Sequence, residues 1–205
     1  MNNFLLFTAA SALLTTSVFA HAEPHIEQTF NISGQQQLDI NVPVGSLELT
    51  THQGSNVKVS IEFKAKNNNG FKSEIDLESI TLDHQQNANK LSLNVDNDDI
   101  QQKWVVSLPT SMAIDLELGV GDIEVNDFAN SADIDVGVGA VRIRSELDDY
   151  KRIELNSGVG DTRVSGMKND AQHTRKMVSS ETLYRGNGQY SINVEVGVGD
   201  IKITR

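Results

Sequence analysis

The sequence predicts an all-β fold, a single-domain parallel β-solenoid (β-helix-like) with coils of roughly 20 residues. Three observations carry that expectation. The segments LELGVGDIEV, IDVGVGAVRI, LNSGVGDTRV and VEVGVGDIKI are copies of one unit, centred on Val120, Val138, Val159 and Val198. Within each copy, aliphatic side chains alternate at the two-residue period of a strand. Aromatic residues are few, with 7 Phe, 3 Tyr and 1 Trp, so the core must be built from Val, Ile and Leu, of which Val and Ile favour strands.

The chain starts with a segment that stands outside the repeat. Met1 to Ala22 contains no Lys, Arg, Asp or Glu and reads NFLLFTAASALLTTSVFA through its middle, an apolar h-region. Ala20-His21-Ala22 places small residues where a signal peptidase reads them, so residues 1–22 are expected to be a signal peptide cleaved before Glu23. Residues 23–205 then form one exported domain, periplasmic or extracellular, with no further membrane span.

The next segments read as strands with degenerate corners. INVPVGSLEL is a weaker fifth match, and its Val44 lies 76 residues before Val120, four units of 19. Alternation continues through Val57, Val59, Ile61 and Phe63, then Ile80 and Leu82, then Leu91, Leu93 and Val95, and then Trp104, Val106 and Leu108. Polar turns separate them at 66–70 and 96–99, where Asn, Asp and Gly supply turn conformations.

In the clear copies the central valines are spaced by 18, 21 and 39 residues, so the last interval reads as two coils with one copy diverged. Each copy changes parity at its glycines. Leu116, Leu118 and Val120 are followed by Ile123 and Val125, and the pattern recurs through Val138 and Val198 and, with Ser157 and Thr162 substituted, through Val159. A straight strand cannot change parity without turning its buried face outward, so each unit is strand, glycine corner, strand. The corner residues are Gly119, Gly121 and Asp122, then Gly137 and Gly139, then Gly158, Gly160 and Asp161, and then Gly197, Gly199 and Asp200. Five buried aliphatics per coil contribute about 7 to 15 kcal/mol, against roughly 30 kcal/mol to order 20 residues. A coil therefore folds only against its neighbours.

The run LDINVPVGSLELTTHQGSNVKVSIEF, followed by several GVGDI-type units, resembles a family of bacterial exported proteins known as "putative adhesins", a large domain family of unknown function. The resemblance spans about Phe30 to Arg205. It implies a β-solenoid-like fold and adhesin-like binding, with no catalytic motif to carry over.

Charge and composition narrow the function. With 17 Lys plus Arg against 28 Asp plus Glu, the net charge is −11, which disfavours nucleic acid as a partner. With no cysteine, the chain has no disulfide, thiolate metal site or lipidated cysteine. Asp122, Asp161 and Asp200 resemble calcium-binding β-roll repeats, but on the linear spacing they fall about two coils apart, roughly 10 Å. They are therefore read as backbone acceptors at the corners, with no metal and no cofactor. Residues 165–188 interrupt the repeat and gather Lys168, Arg175, Lys176, Tyr184 and Arg185, the candidate partner-binding residues, alongside His173 and Asn187; the plainer reading is a diverged coil with a solvated face, its core supplied by Met177, Val178, Leu183 and Tyr184. The histidines are scattered, and no HExxH, GxSxG or P-loop motif is present.

The expectation is a non-enzymatic binding or interaction scaffold at the cell envelope, its outer strand faces or the interrupted segment at 165–188 binding a protein or a glycan. The first alternative is a structural, self-assembling envelope protein that forms a homo-oligomer through an open terminal coil, Glu195 to Arg205; a calcium-binding β-roll and a polysaccharide-acting enzyme rank below it.

Overall fold

Strands form where the sequence alternates. The computed structural model describes residues 24–34, 36–65, 76–97 and 99–205. The expected signal peptide, the turn at 66–70 and Asp98 lie outside the described residues. Within them are fifteen strands, a single 3-10 turn at Leu77–Ser79 and no α-helix. Ile80 and Leu82, expected on a strand, are half-buried in the irregular segment after that turn.

Six rungs stack in parallel, each made of two strand segments meeting at a corner. In spatial order the first is β5 (Lys90–Asn94) with β6 (Ile100–Pro109), the second β2 (Gln37–His52) and the third β7 (Ala113–Phe128). The fourth is β8 (Ala132–Val138) with β9 (Val141–Ser145), and the fifth β14 (Ser191–Val198) with β15 (Ile201–Thr204). The sixth is β10 (Arg152–Val159) with β11 (Thr162–Ser165). Segments before the corners form one limb, and those after them form the other.

Spatial order is not chain order at either end, and three expectations change. Val44 lies directly opposite Val120, so the 76 residues between them are not four coils. The last copy lies between the second and third, with Val198 opposite both Val138 and Val159, so the 39-residue interval is not two stacked coils. The terminal rung is consequently interior: β14 pairs with β8 and β10, and β15 with β9 and β11. Glu195 to Arg205 offers no open coil for another chain.

Antiparallel excursions fill the intervals and cover the outer rungs. β3 (Asn56–Ala65) pairs with β6, β1 (His25–Asn31) with β3, and β4 (Asp83–Gln86) with β5. At the opposite end β13 (Ser179–Arg185) pairs with β10, and β12 (Gln172–Lys176) with β13. Residues 165–188 therefore contain an antiparallel hairpin and not a diverged coil. The sheet is mixed, parallel within the stack and antiparallel at its ends.

The glycines are required because adjacent rungs touch backbone to backbone. A Cβ on Gly121 would sit 1.6 Å from the Gly45 carbonyl oxygen, and one on Gly139 would sit 1.6 Å from that of Gly121. Their φ angles of +142° and +152° also exclude ordinary side chains. Gly199 and Gly160 continue this column, and Gly119, Gly137, Gly197 and Gly158 form a second one beside it.

The parity switch is present, but the corner valine does not point inward. Val120, Val138, Val198 and Val159 are 46 to 48% exposed and line up along the ridge of the stack. Four of the five aliphatics expected inside each well-preserved copy are buried, and the fifth faces out. The remaining side chains pack into one core cluster between the limbs. The polar copy at Ser157 and Thr162 bonds to neighbours on both sides: Ser157 Oγ donates to the Gly199 carbonyl at the fifth-rung corner at 2.7 Å, and Thr162 Oγ1 lies 2.7 Å from Thr182 Oγ1 of the hairpin.

Candidate functional site

The outward positions of the first limb carry carboxylates in two rows along the stack. One row runs Asp39, Asp115, Asp133, Asn193, Glu154, and the other Asn41, Glu117, Asp135, Glu195, Asn156. Strand alternation puts them there, because every second residue of β2, β7, β8, β14 and β10 is buried. In-register pairing brings like charges to rung spacing, about 4.8 Å.

Few cations answer them. Lys90 pairs with Asp39 and lies 4.0 Å from Asp115, and Arg152 contacts Glu154 at 2.6 Å. Amides bridge others: Gln37 Nε2 donates to Asp115 at 2.9 Å, Asn41 Nδ2 to Glu117 at 2.6 Å, and Asn193 Nδ2 to Asp133 at 3.0 Å. Desolvation, then the charge of Asp39, holds the Asp115 carboxyl above its ordinary range, and desolvation followed by Asp133 and Glu117 does the same at Asp135.

A groove of about 640 Å³ runs beside the second row, with Glu117, Asp135 and Glu195 along it and Gly119, Gly137 and Gly197 also lining it. It exists because the glycine column has no side chains there. The exposed valines follow one residue further along the chain, so an acidic row, a groove and an apolar ridge run parallel to one another. Sequence reasoning offered the outer strand faces as a binding surface but did not single out these residues. The signal was available in the acidic residues two positions before three of the four clear corners, Glu117, Asp135 and Glu195.

The residues singled out in the late segment do not form one patch. Tyr184 is buried; its hydroxyl donates to Asp149 Oδ1 at 2.6 Å, and burial followed by that carboxylate pushes it up to about 12. It is a core residue and not a contact residue. Lys168 lies 3.9 Å from Asp149, whereas Arg175 lies 3.3 Å and His173 3.7 Å from Asp161. Lys176 ends β12, and Arg185 is exposed on β13 opposite Arg152. Asn187 donates its backbone N–H to Asp149 at 3.2 Å.

The corner aspartates accept backbone N–H groups. Asp122 Oδ1 takes the Ala140 N–H and Asp200 Oδ1 the Asp161 N–H, each at 2.8 Å, while Asp161 Oδ1 takes that of Thr162 at 3.2 Å. Asp161 and Asp200 sit on neighbouring rungs, so the two-coil separation expected from linear spacing does not hold. Among the described residues no group of three or more His, Cys, Asp or Glu is placed to hold a metal ion.

These features define a β-helix-like protein with an open, charged and grooved face. The chain belongs to DUF2154, the N-terminal domain of toast_rack, which it matches over residues 19–165. That match stops at the end of β11, before the hairpin and the inserted fifth rung. Among solved structures, it is similar to a "putative cell adhesion protein" of Clostridium sporogenes, with a TM-score of 0.53, 16% identity and coverage of 88% of this chain and 99% of that one. A "putative adhesin" of Bacteroides fragilis matches with a TM-score of 0.34 and 13% identity over 89% of this chain and 98% of that one. Another from Parabacteroides distasonis gives 0.30 and 10% over 87% and 69%. No curated protein matches.

Proposed function

We propose that the protein is a non-enzymatic, exported binding scaffold, adhesin-like in role, that presents the acidic face of its first limb to a cationic partner at the cell envelope. The observation that carries this reading is the pair of carboxylate rows beside the groove, seven acids across five rungs. Their mutual repulsion is relieved when a cationic partner neutralises them. Export is supported by the apolar Met1 to Ala22 segment and its Ala20-His21-Ala22 site. The grooved rows carry more unanswered charge than the late hairpin, where Lys168 and Arg175 already lie beside aspartates.

Calorimetric titration of the chain from Glu23 with decalysine tests this. Binding at 0.05 M salt that weakens at least tenfold at 0.5 M, and is lost in the triple variant Glu117→Gln, Asp135→Asn, Glu195→Gln, is the expected result. Equal binding by the triple variant would refute the surface. Saturable turnover of an envelope glycan would refute the non-enzymatic role.

A further inference from the structure

The second limb carries the opposite charge on its outer face. Arg142 of β9, Lys202 of β15 and Arg163 of β11 stand side by side on three consecutive rungs, Arg142 opposite Lys202 and Lys202 opposite Arg163. All three are exposed, and none has an ion-pair partner among the described residues. The neighbouring cation, Arg144, is already held by Glu124 at 2.8 Å. The same row continues to Glu124 and then Glu48 on the preceding rungs.

The acidic row beside the groove has the matching form. Glu117, Asp135 and Glu195 also occupy three consecutive rungs, and neutral Asn41 and Asn156 bracket them. Both triads belong to one stack, so they share one spacing, about 4.8 Å per rung.

We propose that the cationic partner is a second copy of this chain: Arg142, Lys202 and Arg163 of one copy dock on Glu117, Asp135 and Glu195 of the next, with stack axes parallel and displaced by one rung. This inference rests on the acidic face being the binding surface. In that register Glu117 meets Arg142, Asp135 meets Lys202 and Glu195 meets Arg163. Asn41 then faces Glu124, and Asn94 faces Glu48, so no like charges collide along the row. Reversing the axes places Glu181, the next residue beyond Asn156, against Glu48, which selects the parallel arrangement.

The two surfaces are different patches of one molecule, so the contact is head-to-tail and open-ended. It uses the faces of the stack and leaves its edges free. The net charge of −11 opposes association at long range, so the attraction acts within the screening length, about 8 Å at physiological ionic strength.

The test is sedimentation equilibrium on the chain from Glu23, which contains every described residue. One variant removes the acids (Glu117→Gln, Asp135→Asn, Glu195→Gln) and another the bases (Arg142→Gln, Lys202→Gln, Arg163→Gln). Wild type is expected to form concentration-dependent oligomers without fixed stoichiometry at 0.15 M salt and to be monomeric at 1 M. Each variant alone is expected to be monomeric, and their equimolar mixture to form 1:1 dimers and nothing larger. If either triple variant melts below wild type, Asp135→Asn and Lys202→Gln, the centre of each row, replace them and weaken the same equilibrium.

Wild type that stays monomeric throughout, while decalysine still binds, overturns the second copy and leaves the acidic surface standing. Failure of both sinks both readings. Oligomers that persist in the variants also overturn the proposal, as does a basic row that retains polygalacturonate or polyphosphate while wild type remains monomeric.

Discussion

Two rungs perform the same turn by opposite means. In the third rung the corner is Gly119-Val120-Gly121-Asp122, and closeness to the next backbone leaves no space for a Cβ. In the first rung the chain turns between Val95 and Ile100 without a glycine, and buried Gln102 supports the corner instead. Its amide donates to the Val95 carbonyl at 3.2 Å, while its carbonyl accepts from Trp104 Nε1 at 2.9 Å. One corner is specified by missing side chains and the other by a satisfied buried pair. A missing side chain can be copied from rung to rung because it makes no demand on its surroundings, whereas a buried amide needs a particular partner.

The largest effect is expected from removing a rung from the middle of the stack. Deleting residues 166–205 leaves a rung-wide gap between β8 and β10, so no cooperative melt is expected by circular dichroism. A linear solenoid losing its last coil would instead show a lower but cooperative transition. Adding residues 190–205 back as a peptide is expected to restore part of that transition.

Next in size is the glycine corner itself. Gly121→Ala or Gly139→Ala forces backbone apart at positive φ, and each is expected to cost more than about 4 kcal/mol by denaturant titration. Gly54→Ala is the control. The nearest atoms to its Cβ would be those of the His52 ring, a side chain that can move at the cost of its 3.1 Å bond to the Asn56 carbonyl, so a loss of about 1 kcal/mol is expected.

The side-chain corner should respond less, and reversibly. Gln102→Leu orphans the buried Trp104 indole N–H, while the Val95 carbonyl keeps the Asn97 N–H at 3.0 Å, for a loss of about 2 kcal/mol. Trp104→Phe introduced alongside it is expected to cost less than the two single losses combined, which a double-mutant cycle measures. Strict additivity would show that the two side chains do not act as a unit.

The smallest effects are pH-dependent, and they separate the stack's acidic face from its far end. Asp115 and Asp135 have raised folded values, so they destabilise the fold when ionised, and this penalty is relieved as pH falls through those values. Asp135→Asn is therefore expected to raise the melting temperature slightly at pH 7 and to have no effect once the carboxyls are protonated. Asp149 has the opposite sign. Its value is lowered by the Tyr184 hydrogen bond first and the Asn187 N–H next, so its stabilisation is present above the ordinary aspartate range and is lost as pH falls through the lowered value. Asp149→Asn should accordingly lower the melting temperature at pH 7 and lose that effect in acid.

Much of this was legible in the residues. Alternation through Leu116, Leu118, Ile123 and Val125 gave correct strands, and the parity change located the corner. Val120 was misassigned, because alternation alone continues a strand inward until something turns it, and only the four-residue corner shows that the valine lies outside the core. For Tyr184 the sequence offers both a contact and a core reading; the core reading holds for it but fails for Met177 and Val178, which are exposed at the turn between β12 and β13. A tyrosine among Lys168, Arg175 and Arg185 reads as surface, yet β13 alternates and places it inside, opposite Ile153.

By itself the sequence determined the all-β class, the corners and the residues on each strand that alternate, because these follow from local geometry and from which side chains a backbone contact permits. Only the tertiary structure decided the order of the rungs. A repeat states that its copies can stack, but every copy offers nearly the same edge, so the excursions at residues 56–89 and 166–190 determine which neighbours meet. That choice places Glu195 between Asp135 and Asn156 and Lys202 between Arg142 and Arg163, forming two opposed rows of charge from residues far apart in the chain.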